Sequence, residues 1–145
     1  MRRAPIALTL ALLFAGCSLL PSAAYDPVFD AALVDFQTDS RAFFDQVAAG
    51  SGTGPGAYSA FSDDYHTFSE RLAGLRAMAA QHQRNESTLQ SIDLLQQNFT
   101  RIEAVHRDGL VREEVELLRA VIDTQVRLLI QLERDKRGAK PEVAS

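Results

Sequence analysis

A single cysteine and no tryptophan occur among the 145 residues. One thiol excludes an intramolecular disulfide and any thiolate zinc cage within one chain. There is no basic excess: 15 Lys and Arg stand against 19 Asp and Glu, a formal charge of −4. A nucleic-acid binder normally shows a basic stripe that neutralises phosphates, so this balance argues against that class. No Cys-x-x-Cys-His occurs, which excludes covalent c-type haem. The N-terminal apolar run, Ile6–Phe14, spans about 14 Å as a helix, far short of a ~30 Å hydrocarbon layer. No later stretch alternates apolar and polar residues as a half-buried strand does, and no repeat at solenoid spacing is present. What remains is enough for one small domain, and 46% hydrophobic residues is too much for intrinsic disorder.

The N-terminus has the features of an export signal. Met1-Arg2-Arg3 is positive, Ile6–Phe14 is apolar, and Ala15-Gly16 is small. Phe14-Ala15-Gly16-Cys17 resembles the lipobox of bacterial lipoproteins, although Phe14 stands where that family usually has Leu, Val or Ile. The resemblance implies cleavage after residue 16. It further implies a thioether-linked diacylglycerol and an amide-linked acyl chain on Cys17, which is then the lipidation site and the only covalent group expected. Ser18 follows the Cys where enteric-type lipoproteins retained at the inner membrane have Asp. By that resemblance the outer membrane is the expected address, with the domain facing the periplasm. Several acyl chains anchor firmly where one is marginal. Residues 18–25 form a tether of at most roughly 29 Å. Without residues 1–16 the chain loses Arg2 and Arg3, and its charge moves to about −6.

From Asp26 onward four segments place apolar residues at three- and four-residue steps, the spacing of one helical face. Helix one, 26–49, opens on Asp26-Pro27, a cap followed by a first-turn proline. Its expected core stripe is Phe29, Leu33, Phe36, Ser40, Phe43 and Val47. Gly50–Gly56 breaks it with four glycines and a proline. Helix two, 58–84, carries Tyr58, Phe61, Tyr65, Phe68, Leu72, Leu75, Ala79 and His82. Ser87 with Gln90 fits a capping box opening helix three, 87–107, with Thr88, Ile92, Leu95, Phe99, Ile102 and His106. Gly109 stops it. Helix four, 110–136, shows Val111, Val115, Leu118, Ile122, Gln125, Leu129 and Leu132, its apolar face broadened by Leu117, Val121 and Leu128. Residues 138–145 read as a flexible tail. Short links between helices imply antiparallel neighbours. The expected fold is all-α, an up-down-up-down antiparallel four-helix bundle over 26–137. The alternative is a three-helix bundle with helix one packed across it or exchanged with a second chain.

The sharpest chemical candidate is a metal site. Glu103-Ala104-Val105-His106 is a Glu-x-x-His of the kind di-iron carboxylate bundles use twice, and Asp63–His66 is a carboxylate variant of it. Folding helices two and three back about Glu86 brings His66 and His106 to equal height, with Glu70, Asp39 and Glu113 nearby. Helical phase opposes this. Asp63 and Glu70 point nearly opposite the Phe61–Tyr65–Phe68 stripe and His66 sits on its flank, so no metal is expected there. A non-covalent haem would need axial ligands from Met78, His66, His82 and His106, of which Met78 and His82 share one helix. Ser40, His106 and Asp39 can be drawn as a hydrolytic set, but no oxyanion donor pair accompanies them. Ser40, His106 and Gln125 read instead as register-setting polar residues in the core. Helix one is acidic, with Asp26, Asp30, Asp35, Asp39 and Asp45 against Arg41 alone; this reads first as a plain solubilising surface, the alternative being a face that meets a basic partner or divalent cations.

These features lead to the expectation of a non-enzymatic, membrane-anchored envelope protein. It would have no cofactor beyond the lipid on Cys17, no nucleic-acid partner and no disulfide partner. Its helical domain would dock on or brace another envelope protein. The alternative is a ligand- or metal-binding sensor using His66, His106, Glu103 and Asp63.

Overall fold

The computed structural model describes residues 23–50 and 57–138. Cys17 and its lipobox, part of the Gly-rich link and the chain after Gly138 lie outside the described residues. Among those residues the protein is all-α with no strand. The helices are α1 (Pro27–Gly50), α2 (Ser62–Ala80), α3 (Glu86–Asp108) and α4 (Arg112–Asp135), with 3-10 turns at Tyr58–Ala60 and Lys136–Gly138.

Local chemistry accounts for three of the helix ends. Asp26 Oδ1 accepts the N–H groups of Val28 (2.8 Å) and Phe29 (3.2 Å), filling two of the donors a helix start leaves unpaired. Gly109 ends α3 at φ +102°, a conformation a side chain would strain. At α4 the Glu114 carboxylate reaches back to accept the Val111 N–H at 3.0 Å.

Two expectations need correction here. Helix two does not run unbroken over 58–84. A 3-10 turn precedes α2, which begins at Ser62 and ends at Ala80, so His82 lies in the corner beyond it. Nor does a Ser87–Gln90 box open α3. Asn85 occupies the cap position without capping. Its amide donates to the Ala79 carbonyl (2.8 Å) and its Oδ1 accepts from Lys136 (2.7 Å). Asn85 is thus committed to closing the α2–α3 corner.

One apolar cluster joins all four helices. Fully buried Phe36 meets the rings of Phe68 (5.6 Å) and Phe99 (5.8 Å) edge-on, while Phe68 and Phe99 stack at 5.2 Å. Phe43 adds edge contacts to Phe44, Phe61, Tyr65 and Phe68. Such pairs add to burial because a positive ring edge meets a negative face. The expected stripes of α1 and α3 are buried throughout.

α4 differs from expectation. Val111 is exposed, Leu118, Gln125 and Leu132 are half-buried, and the buried face runs through Val115, Ile122, Val126, Leu129, Ile130 and Glu133. The reason is its neighbour: α1 packs along α4 more extensively than α3 does. Asp30, Arg41 and Asp45 of α1 meet Arg134, Asp123 and Arg119 of α4 respectively. The helix is therefore turned towards α1, and Leu117, Val121 and Leu128 remain outside the core.

Candidate functional site

The polar groups that the fold concentrates lie at the end of the domain where the chain enters α1. The Ala23 N–H donates to the Arg84 carbonyl (3.3 Å), so the chain is fixed to the α2–α3 corner before the helix begins. Asp26 donates its backbone N–H to Glu133 Oε1 (2.9 Å), and its Oδ2 accepts from His82 Nε2 (3.0 Å). The Tyr25 hydroxyl donates to Asp30 Oδ2 (2.9 Å), and the Arg137 guanidinium lies over the Tyr25 ring at 4.0 Å. Asp30 also accepts from Arg134 (2.9 Å) and Arg137 (3.0 Å). Beneath these, Lys136 is bonded to both Asn85 and Glu133.

Burial makes this clasp specific. Glu133 is 1% exposed and Lys136 8%, and an unpaired charge at such depth is strongly destabilising. Each side chain therefore holds the other, and Glu133 in turn holds the backbone of Asp26. Desolvation pulls the Asp26 carboxyl up. The His82 hydrogen bond and the N–H groups of Phe29 and Val28 outweigh it, leaving Asp26 below its ordinary value. Read along one helix, Glu133 falls among the mixed charges of helix four, a pattern typical of a solvated face; the structure buries it instead, and Lys136 was not singled out. One signal was present, since Glu133 repeats the register of Ile122, Val126 and Leu129, where an acid must find a buried partner.

At the opposite end His106 is buried within a ring of aromatics. The Tyr65 hydroxyl lies 3.0 Å from His106 Nδ1, and the rings of Tyr58, Phe61 and Tyr65 approach the imidazole within about 6 Å. Desolvation and the nearby Glu103 push the Tyr65 phenol up. Glu103 is engaged elsewhere, accepting from the Tyr58 hydroxyl (2.7 Å) and from Arg107 (2.5 Å).

The metal candidates are therefore dispersed. His66 projects into solvent with a side chain 75% exposed and pairs with Glu70 at 3.3 Å. Asp63 is exposed as well, whereas His106 is 1% exposed. Among the described residues no three His, Cys, Asp or Glu side chains are grouped to hold a metal ion. Met78 is half-buried against the core. The Ser40 hydroxyl donates to the Gln37 carbonyl (3.0 Å). Gln125 Oε1 is buried and has no hydrogen-bond partner among the described residues.

The acidic face expected on helix one is also corrected. Asp26 pairs with His82, Asp30 with Arg134 and Arg137, Asp39 with Arg71, and Asp45 with Arg119. Four of its five carboxylates thus tie α1 to the rest of the domain. Neutralisation from neighbouring helices was invisible to a count made along one helix. Among the described residues the exposed large apolar side chains are Val28 and Val34 on α1, Leu94 and Val105 on α3, Val111 before α4, and Leu117, Val121 and Leu128 on α4.

No helix among the described residues is long and apolar enough to cross a membrane. Comparison with family models, curated proteins and solved structures finds nothing that matches this chain.

Proposed function

We propose that the protein is a lipid-anchored envelope protein, attached through acylated Cys17 to the outer membrane. Its domain acts there in the periplasm as a non-enzymatic docking or bracing module. The observation that carries this reading is the clasp. A domain anchored by its N-terminus transmits every load through the residues just before α1, and here Ala23, Tyr25 and Asp26 are each bonded to the α2–α3 corner or the end of α4. The free tether shrinks accordingly. From Cys17 to Ala23 the chain reaches at most about 21 Å, so the clasp end sits close to the headgroups.

The fold belongs to the same reading, as an up-down-up-down antiparallel bundle. Positions paired between α1 and α4 support it, because they rise on one helix while they fall on the other: Asp30 with Arg134, Arg41 with Asp123, Asp45 with Arg119. Two tests address the reading. Mass spectrometry of the purified N-terminal peptide is expected to find acylated Cys17, and Cys17→Ala is expected to leave the membrane fraction. Crosslinking in intact cells is expected to capture a specific envelope protein. An unmodified Met1 terminus would sink the anchor, and failure to recover any specific partner under any growth condition would sink the docking role.

A further inference from the structure

A cavity of about 170 Å³ lies between the α2–α3 corner and the end of α4, with Arg84, Ser87, Thr88, Asp135 and Lys136 among its walls. It adjoins the clasp, because the Arg84 carbonyl accepts the Ala23 N–H and Lys136 holds Glu133 and Asn85. α3 begins at this cavity. Asn85 stands at its cap position but commits its side chain to Ala79 and Lys136. The Glu86, Ser87 and Thr88 N–H groups therefore have no hydrogen-bond partner among the described residues.

A second observation points to a ligand. Thr88 is 1% exposed, yet its hydroxyl makes no hydrogen bond among the described residues. The only side-chain nitrogen or oxygen among those residues that is wholly enclosed without a partner is Gln125 Oε1. The Thr88 hydroxyl is thus not sealed into the core, and it faces the cavity whose wall Thr88 forms. A buried hydroxyl left open costs free energy until something hydrogen-bonds to it. The Arg84 guanidinium, on the same wall, has no carboxylate partner among the described residues. N–H groups at a positive helix end, a hydroxyl and a guanidinium together are donors for an oxyanion, phosphate above all. Asp135 supplies the opposite sign. Its Oδ1 accepts from Gln131 Nε2 (2.7 Å), which leaves Oδ2 open. A bare phosphate meets that carboxylate as a like charge, whereas a phosphate ester carrying an ammonium group satisfies both signs.

We propose that this cavity binds a zwitterionic phosphate ester of the phosphoethanolamine type. The phosphate sits on the α3 start, Thr88 and Arg84, and the ammonium at Asp135. The group can come from a phosphatidylethanolamine headgroup or from soluble glycerophosphoethanolamine. The lipid source alone rests on the anchor proposed above, which brings this end of the domain to the headgroups.

The test is titration of the purified full chain in maltoside micelles, followed through the amide resonances of Ser87 and Thr88. Glycerophosphoethanolamine is expected to shift both saturably, glycerol phosphate to bind more weakly, and ethanolamine to leave them unmoved. Arg84→Gly suits the left-handed backbone there (φ +62°) and is expected to weaken binding about tenfold. Thr88→Val keeps the shape without the hydroxyl and is expected to weaken it about threefold. Asp135→Asn is expected to abolish the preference for the ethanolamine ester over glycerol phosphate. Melting curves establish that each variant is folded. No saturable shift with either ester, or unchanged binding in all three variants, would overturn the proposal. Hydrogen exchange of the same amides in vesicles assigns the source. Slower exchange in phosphatidylethanolamine than in phosphatidylglycerol vesicles identifies the headgroup, and slowing only on added glycerophosphoethanolamine identifies the soluble ester. The micelle titration needs no acyl chain, so its failure is not mistaken for failure of the anchor, which membrane fractionation scores.

Discussion

Glu133 accepts the backbone N–H of Asp26 at 2.9 Å across 107 positions of sequence while its other carboxylate oxygen holds Lys136. A glutamate buried near the C-terminal end of α4 thus fixes the residue that starts α1. Glu133→Ala leaves Lys136 buried and uncompensated, and the expected loss is about 3–5 kcal/mol. Glu133→Leu combined with Lys136→Met is expected to recover much of that loss, because no charge is then stranded. Denaturant unfolding of the two variants decides it, and a single variant as stable as its parent would remove the clasp from the account.

Acid is expected to loosen the same end. The lowered Asp26 carboxyl contributes stability that is present in full above its ordinary value of 3.8 and is lost as pH falls through its lower folded value. Asp123 behaves alike, held low chiefly by the hydrogen bond from Arg41. Unfolding measured between pH 6 and pH 2 is expected to show a steep acid limb. Asp26→Asn is expected to be less stable than the parent at pH 6 and to show a shallower limb. Parallel limbs would mean that Asp26 binds protons equally in both states.

Phe36 joins three helices through its contacts with Phe68 and Phe99. Phe36→Ala is expected to cost about 3–5 kcal/mol, from lost transfer energy and the cavity left behind. Phe36→Leu, which keeps most of the volume, is expected to lose less than half as much. Melting curves of the two variants test the ranking.

The two histidines of the metal candidate are expected to separate cleanly. His66→Ala removes only an exposed contact with Glu70, so its effect is expected within about 0.5 kcal/mol. Tyr65→Phe leaves the buried His106 ring without its hydroxyl neighbour and is expected to cost about 1–3 kcal/mol. Zinc or iron retained at stoichiometric level through dialysis, and lost in His66→Ala, would restore the metal reading.

Much of the architecture was legible because periodicity, caps and breakers are local. The Asp26-Pro27 start, the Gly109 stop and the stripes of α1 and α3 follow from side-chain spacing and backbone chemistry within a few residues. The corner at Asn85 was not legible, since its amide serves Ala79 and Lys136 instead of the neighbouring helix start. His66 was readable as lying off the core stripe, whereas the Tyr65 partner of His106 required two helices to be placed together.

By itself the sequence determined four amphipathic segments, an aromatic core and the lipobox-like Phe14–Cys17. α4 carried apolar residues around more of its circumference than one interface can cover, and only tertiary packing chose among them. Contact with α1 drew Val126, Ile130 and Glu133 inward and left Leu117, Val121 and Leu128 outside. The physical reason is that helical spacing is a property of one segment, whereas rotation about a helix axis, and the pairing of buried or bridging charges, depend on what the other helices present to it.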